Sequence, residues 1–227
     1  MPRIARVCAV GYPHHITQRG NNKEKVFFDD EDRRLYLDIL QRYKNKYGIK
    51  ILAYCLMLHI TCPHPCSAGA GNGVGQSHGR DKPRLHPTCK SQISQEWKAM
   101  AFPNRFFSSV VEEEPYLWAV MRYMEQNPVR AKLVKKAEQY RLSSARAHVL
   151  GIGDDVLSRE NGIKEKEIRS YREFIREEEE EINAAIRRAT STSRPLGGEG
   201  FIRKLEKRLN RDLFPKKGGR PKGKRKK

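Results

Sequence analysis

Leu117-Trp118-Ala119-Val120-Met121-Arg122-Tyr123-Met124-Glu125-Gln126-Asn127-Pro128-Val129-Arg130 reads as a helix around which the rest of the chain is arranged. Trp118, Val120, Met121 and Met124 recur at helical spacing, and Pro128, with no N–H for the ladder, is expected to close the helix. Tyr123 and Asn127 are four residues apart, so a helix projects them from one face about a turn from each other. Two readings of Tyr123 follow. It is a core aromatic on an amphipathic helix, or a phenol nucleophile beside a polar amide.

Upstream, Pro13-His14-His15-Ile16-Thr17-Gln18-Arg19 reads as a short strand ended by the turn residues Gly20-Asn21-Asn22. The acidic run 29–32 suits a helix N-terminus, and Leu35, Tyr36, Ile39, Leu40 and Tyr43 continue it as the clearest helix of the chain. Gly48 fits the position after its C-terminus, and residues 49–57 read as a buried strand. Residues 58–103 have neither helical nor strand periodicity, and an irregular connection of that length is unusual inside a compact domain. Residues 105–111 are again strand-like, and Glu112-Glu113-Glu114-Pro115 links them to the tyrosine helix.

Downstream, Gly151 and Gly153 mark the expected end of a first domain, 1–150. Residues 151–189 are expected to form a helical extension whose acidic run, 177–181, is a solvated face. A linker from Thr190 to Pro195 and a short amphipathic helix carrying Phe201, Leu205 and Leu209 fill 190–214. The last segment, 215–227, holds eight basic residues and no acidic one, so it is expected to be a disordered basic tail. Its Gly219-Arg220-Pro221, followed by Lys222, is similar to the core of an AT-hook, and any polybasic tail attracts phosphate.

The 227 residues carry a formal net charge of +19, which points to a polyanionic partner, nucleic acid first. Apolar runs stay short of the ~20 residues of a spanning helix, so no membrane role is expected, and the cytoplasm, on the nucleoid, is the expected location. The five cysteines are odd in number and unevenly spread, unlike a secreted disulfide framework.

Five separated stretches, residues 1–6, 11–22, 26–32, 53–57 and 123–131, resemble in content and order the REP-associated tyrosine transposases, single-tyrosine members of the HUH transposase superfamily. The resemblance covers 1–57 and 104–149. It implies an α+β, ferredoxin-like fold, an antiparallel sheet with packed helices. It also implies cleavage and rejoining of single-stranded or hairpin DNA through a 5′-phosphotyrosine in DNA transposition, with Tyr123 as nucleophile. Its divalent cation, Mg²⁺ or Mn²⁺, would be held by His59 and Asn127. The family has two histidines around one apolar residue after Cys-Leu-Met, whereas this chain reads Leu58-His59-Ile60-Thr61, with Thr61 where the second imidazole belongs. Matching flanks around an unmatched stretch of similar length are what a pair of compensating frameshifts produces. A competing reading makes Cys62, His64, Cys66, His86 and Cys89 a source of zinc ligands. Arg19, Asn21, Asn22, Arg122, Arg130, Arg220 and Lys222 are the candidate DNA contacts. The alternative function is an inactive DNA-binding remnant acting through its tail and helical extension.

Overall fold

The computed structural model describes residues 4–19, 27, 29–57, 60–63, 66–68, 106–158 and 163–215, with 18–19, 60–63 and 66–68 described by backbone alone. The fold is α+β. Strand β1 (His14–Arg19) is followed by α1 (Asp30–Tyr47), β2 (Ile49–Ile51), β3 (Tyr54–Leu56), β4 (Ile60–Pro63), β5 (Cys66–Ala68) and β6 (Phe107–Val110). The helices α2 (Glu113–Glu125), α3 (Asn127–Arg130), α4 (Ala145–Leu150), α5 (Ile168–Phe174), α6 (Glu180–Thr192) and α7 (Glu199–Leu209) come after.

The main sheet has the order β3-β4-β1-β6 and is antiparallel at every described pairing, and β2 pairs β5 in a separate ribbon. Among its four strands the second and third in sequence form one side and the first lies between the third and the last, the split order of the ferredoxin-like fold. Register places Gln18 opposite Thr61, and His15 opposite Ser109. Two of these strands, β4 and β5, lie in the stretch without strand periodicity. They form because β1, β2 and β3 present backbone N–H and C=O groups that need partners, whatever side chains the partner carries. The remainder of 58–103, with any frameshift or zinc reading of it, lies outside the described residues.

Helix α1 forms as its sequence demands. Asp29 caps it by accepting from the Asp32 N–H at 2.8 Å, three acids occupy its first turn, and Gly48 closes it at φ 61°. Its inward face, Tyr36, Ile39 and Tyr43, packs with Ile51, Tyr54 and Leu56 and with Val156 and Leu157 from beyond α4. The run expected as one strand, 49–57, breaks at Leu52 and Ala53, so that β2 and β3 join different sheets.

In α2 the residue Glu114 has extended backbone angles, so regular helix begins at Pro115. Pro128 does not close this helix. It stands in the first turn of α3, where its missing N–H has no acceptor to lose. Leu117, Val120, Met121 and Met124 bury into one cluster with Ile163, Tyr171, Ile175, Ile186 and Leu196, so residues from 163 onward complete the core of the tyrosine helix. Residues 190–192, expected as linker, end α6 instead. The Thr190 and Thr192 hydroxyls donate to the carbonyls of Ile186 and Arg188 one turn back, which lets both side chains be buried in a helix.

Both edges of the main sheet are covered by chain from the C-terminal half. Residues 142–144 meet β3, with Leu56 N–H donating to Leu142 O at 2.8 Å and Ser144 N–H to Tyr54 O at 2.9 Å. Leu196 meets β6 by donating to Val110 O at 2.7 Å and accepting from Glu112 N–H at 2.8 Å. Covered edges cannot pair with another chain. Helix α7 then lays Phe201 and Leu205 on Val7, Ala9, Val110 and Leu213.

Candidate active site

Tyr123 lies on the half-buried flank of α2, over the sheet. Its ring stands perpendicular to that of His15 on β1, with centroids 6.0 Å apart. The guanidinium of Arg130 lies 4.6 Å from the Tyr123 centroid, donates to the Tyr123 carbonyl oxygen, and donates to Asn127 Oδ1 at 2.6 Å. Arg130 thus bridges Tyr123 and Asn127, which stand on α2 and at the start of α3. A fixed positive charge on a phenol is of the sign that a developing phenolate oxygen requires.

His15 is 1% exposed, and burial pushes its pKa from 6.5 down to about 4. Its Nδ1 lies 2.8 Å from Thr190 Oγ1, and its Nε2 has no hydrogen-bond partner among the described residues. The adjacent His14 faces the other way, as alternation on a strand requires. It accepts from Ala9 N–H at its Nε2, at 3.2 Å, and its Nδ1 is 2.8 Å from the Tyr12 carbonyl, a pairing that sets a neutral tautomer with the proton on Nδ1.

The family described as transposase IS200-like matches residues 9–127, just over half of the chain. The chain belongs to the IS200-like transposase family. Comparison with curated proteins finds no match. A solved structure of a REP-associated tyrosine transposase bound to a REP hairpin is similar at 15% identity and a TM-score of 0.49, over 70% of this chain and 92% of that one.

In this transposase-family chain Arg122, next to the tyrosine, does not face solvent. It is 2% exposed, with its guanidinium 4.1 Å from the Phe174 centroid and 3.1 Å from Glu179 Oε1, and Glu177 lies at 4.0 Å. The expectation that it contacts phosphate is corrected on this ground, because α2 turns it toward α5 and the acids that precede α6. Glu177 and Glu179 accordingly do more than solvate a helix face. Of the other candidate contacts, Asn21, Asn22, Arg220 and Lys222 lie outside the described residues, and Arg19 is placed by its backbone alone, at the end of β1.

The cation that the family resemblance implies meets a poor donor set among the described residues. No group of three or more His, Cys, Asp or Glu among them is placed to hold a metal ion. His59 lies outside them, and the one candidate ligand inside, Asn127 Oδ1, already accepts from a guanidinium, whose charge would oppose a cation at that oxygen. The donor set among the described residues does not fit a divalent cation.

Sequence reasoning missed the polar cluster behind the tyrosine helix. Glu125, fully buried, accepts from Ser144 Oγ at 2.5 Å and Tyr171 OH at 2.8 Å, and its Oε1 lies 2.6 Å from His148 Nδ1. The same carboxylate, together with desolvation as the larger cause, holds the Tyr171 phenol well above its ordinary pKa. Its three partners are 19 to 46 positions from Glu125 in sequence, and nothing in their spacing announces a contact. The sole available signal was an acid at a helix position between apolar ones, Met124 and Pro128.

Proposed function

We propose that this protein binds single-stranded or hairpin DNA and cleaves and rejoins it through Tyr123 during DNA transposition. The observation that carries the reading is the placement of the Tyr123 phenol, half-buried on α2, under the Arg130 guanidinium and against the ring of His15. In cleavage the Tyr123 oxygen bonds to phosphorus, the phenolic proton departs, and the bond from phosphorus to the 3′-oxygen breaks. The products are a 5′-phosphotyrosine and a 3′-hydroxyl. Because one phosphoester replaces another, the reverse attack by a 3′-hydroxyl rejoins the strand without an outside energy source. A free phenol has a pKa of ~10, so the site has to favour loss of its proton. Arg130 contributes charge of the right sign, and Arg19 at the end of β1, with Asn21 and Asn22 following it in sequence, is proposed to position the phosphate backbone. Residues 1–150 carry this chemistry, and the work is done in the cytoplasm on chromosomal DNA. Incubation of the full chain with single-stranded hairpin DNA and Mg²⁺ or Mn²⁺ tests it. A covalent protein–DNA adduct is expected, and it must disappear in Tyr123→Phe.

A second reading is favoured by the hydrogen bond that engages Asn127 and by Thr61 at the place of a family histidine. On it, the chain is an inactive DNA-binding remnant. Binding then survives Tyr123→Phe with no adduct from the wild type. With eight cations in 215–227, removal of 216–227 lowers the slope of log affinity on log salt by as much as ~7. An unchanged slope rules out the tail as the binding element.

A further inference from the structure

His15 is buried, stands perpendicular to the tyrosine ring, and has one ring nitrogen held by Thr190. The Thr190 hydroxyl owns one proton, and it donates that proton to the Ile186 carbonyl at 2.8 Å, the bond of a threonine to the helical turn before it. With that proton donated to Ile186 the same oxygen accepts from His15, an arrangement that favours the tautomer protonated at Nδ1, 2.8 Å from Thr190 Oγ1. In that tautomer Nε2 is an unprotonated nitrogen, buried and, among the described residues, without a hydrogen-bond partner. A buried acceptor left unmade is unfavourable, and an imidazole whose one nitrogen is held by a group behind it while the other is bare has the arrangement of a proton acceptor. The imidazole ring stands perpendicular to that of Tyr123, with centroids 6.0 Å apart.

We propose that Nε2 of His15 takes the hydroxyl proton of Tyr123 in the strand-cleavage step. The proposal rests on the reading of Tyr123 as nucleophile. As the Tyr123 oxygen forms its bond to phosphorus, the phenolic proton passes to Nε2. The electron pair of the breaking bond leaves on the 3′-oxygen, which takes a proton from water. The imidazolium so formed sits beside the phosphodiester anion, which offsets its burial. In rejoining, a 3′-hydroxyl attacks, loses its proton to water, and the departing tyrosine oxygen recovers its own from His15. Burial keeps the imidazole neutral at neutral pH, so the lone pair is present when DNA arrives. No hydrogen bond joins the two side chains before DNA binds, in keeping with catalytic contacts that tighten in the substrate complex.

Two measurements on the full chain test the proposal. The first is the ¹⁵N spectrum of His15 in the wild-type protein without DNA, where Nε2 is expected unprotonated and Nδ1 protonated. A proton on Nε2 overturns the proposal whatever the catalytic result. The second is the initial rate of covalent adduct formation with single-stranded hairpin DNA. His15→Ala is expected to lower it by about a hundredfold or more. With trifluorotyrosine at position 123, whose phenol ionises without help, the same substitution is expected to lower the rate by less than about tenfold. An equal loss with both phenols marks a merely structural histidine and overturns the proposal, as does a His15→Ala rate within about threefold of wild type. If the wild type forms no adduct at all, the strand-cleavage reading itself fails and this step falls with it.

Discussion

Arg130 lays its guanidinium over the ring of Tyr123, 4.6 Å from the centroid, and holds the backbone of the same residue through its carbonyl oxygen. The arginine reaches back seven residues, across the junction of α2 and α3 at Gln126, so the junction and the side chain together set the surroundings of the phenol. Arg130→Ala is expected to slow adduct formation with hairpin DNA by about ten- to a hundredfold, because one cation near the developing charge is lost. Loss of the cation–ring contact is expected to change unfolding free energy by only about 1 kcal/mol. Single-turnover rates and urea unfolding of the same variant separate the two effects.

Behind the tyrosine helix the Glu125 carboxylate and the His148 imidazole, both fully buried, meet at 2.6 Å. Removing one member of such a pair leaves the other without its partner in a dry site. Either Glu125→Ala or His148→Ala should lower stability by roughly 3–5 kcal/mol, and the double variant by less than the sum of the two. Urea denaturation measures all three, and additive losses would show that the contact is not energetically coupled.

The depressed pKa of His15 makes stability depend on pH with a definite sign. In the unfolded chain the imidazole takes up its proton near pH 6.5, whereas in the folded chain it does so only near pH 4. Between these values the unfolded state binds more protons, so stability falls as pH falls from about 6.5 to about 4 and is unaffected by this group above that window. The whole shift corresponds to roughly 3 kcal/mol. Comparison of urea midpoints for wild type and His15→Gln across the window isolates it, and identical pH profiles would remove His15 as the cause.

Gly197 is required for want of space. A Cβ there would come within 2.4 Å of Phe201 Cδ1 and 2.8 Å of Glu112 Oε2, where Gly198 N–H donates to that same oxygen at 2.7 Å. Gly197→Ala must displace the Phe201 ring and the Glu112 side chain, at an expected cost of about 1–3 kcal/mol. At Gly153 nothing lies within 4 Å, and Gly153→Ala is expected to be neutral or stabilising by about 0.5 kcal/mol. Thermal unfolding of the two variants side by side checks the contrast.

Much of the scaffold was legible because its signals are local. The Asp29 cap, the Gly48 terminus and the apolar spacing between them locate α1 from neighbours within a few residues. The strand reading of 13–19, ended by turn residues, and that of 105–111 did the same for the two strands β1 and β6. Strand β4 was not legible, because its pairing depends on strands already placed on both sides of it. Pro128 was misread for a related reason. A proline forbids a helix interior and suits a first turn equally well, and the choice depends on where the preceding helix ends.

The primary structure by itself determined the family, the nucleophile candidate with its amide one turn away, the strong positive charge, and the mismatch of Thr61 to the family pattern. Tertiary structure alone decided which neighbours of Tyr123 face it. Arg122 and Arg130 are both arginines beside one tyrosine, yet the first is drawn into the core by Glu179 and Phe174, and the second folds back over the phenol. His14 and His15 are adjacent and chemically identical. The pleat of β1 sends them to opposite faces, and Thr190, 175 residues away, meets Nδ1 of the one beside the tyrosine. A side chain's protonation and direction are set by the groups packed against it, and those groups come from segments whose distance along the chain carries no trace of their contact.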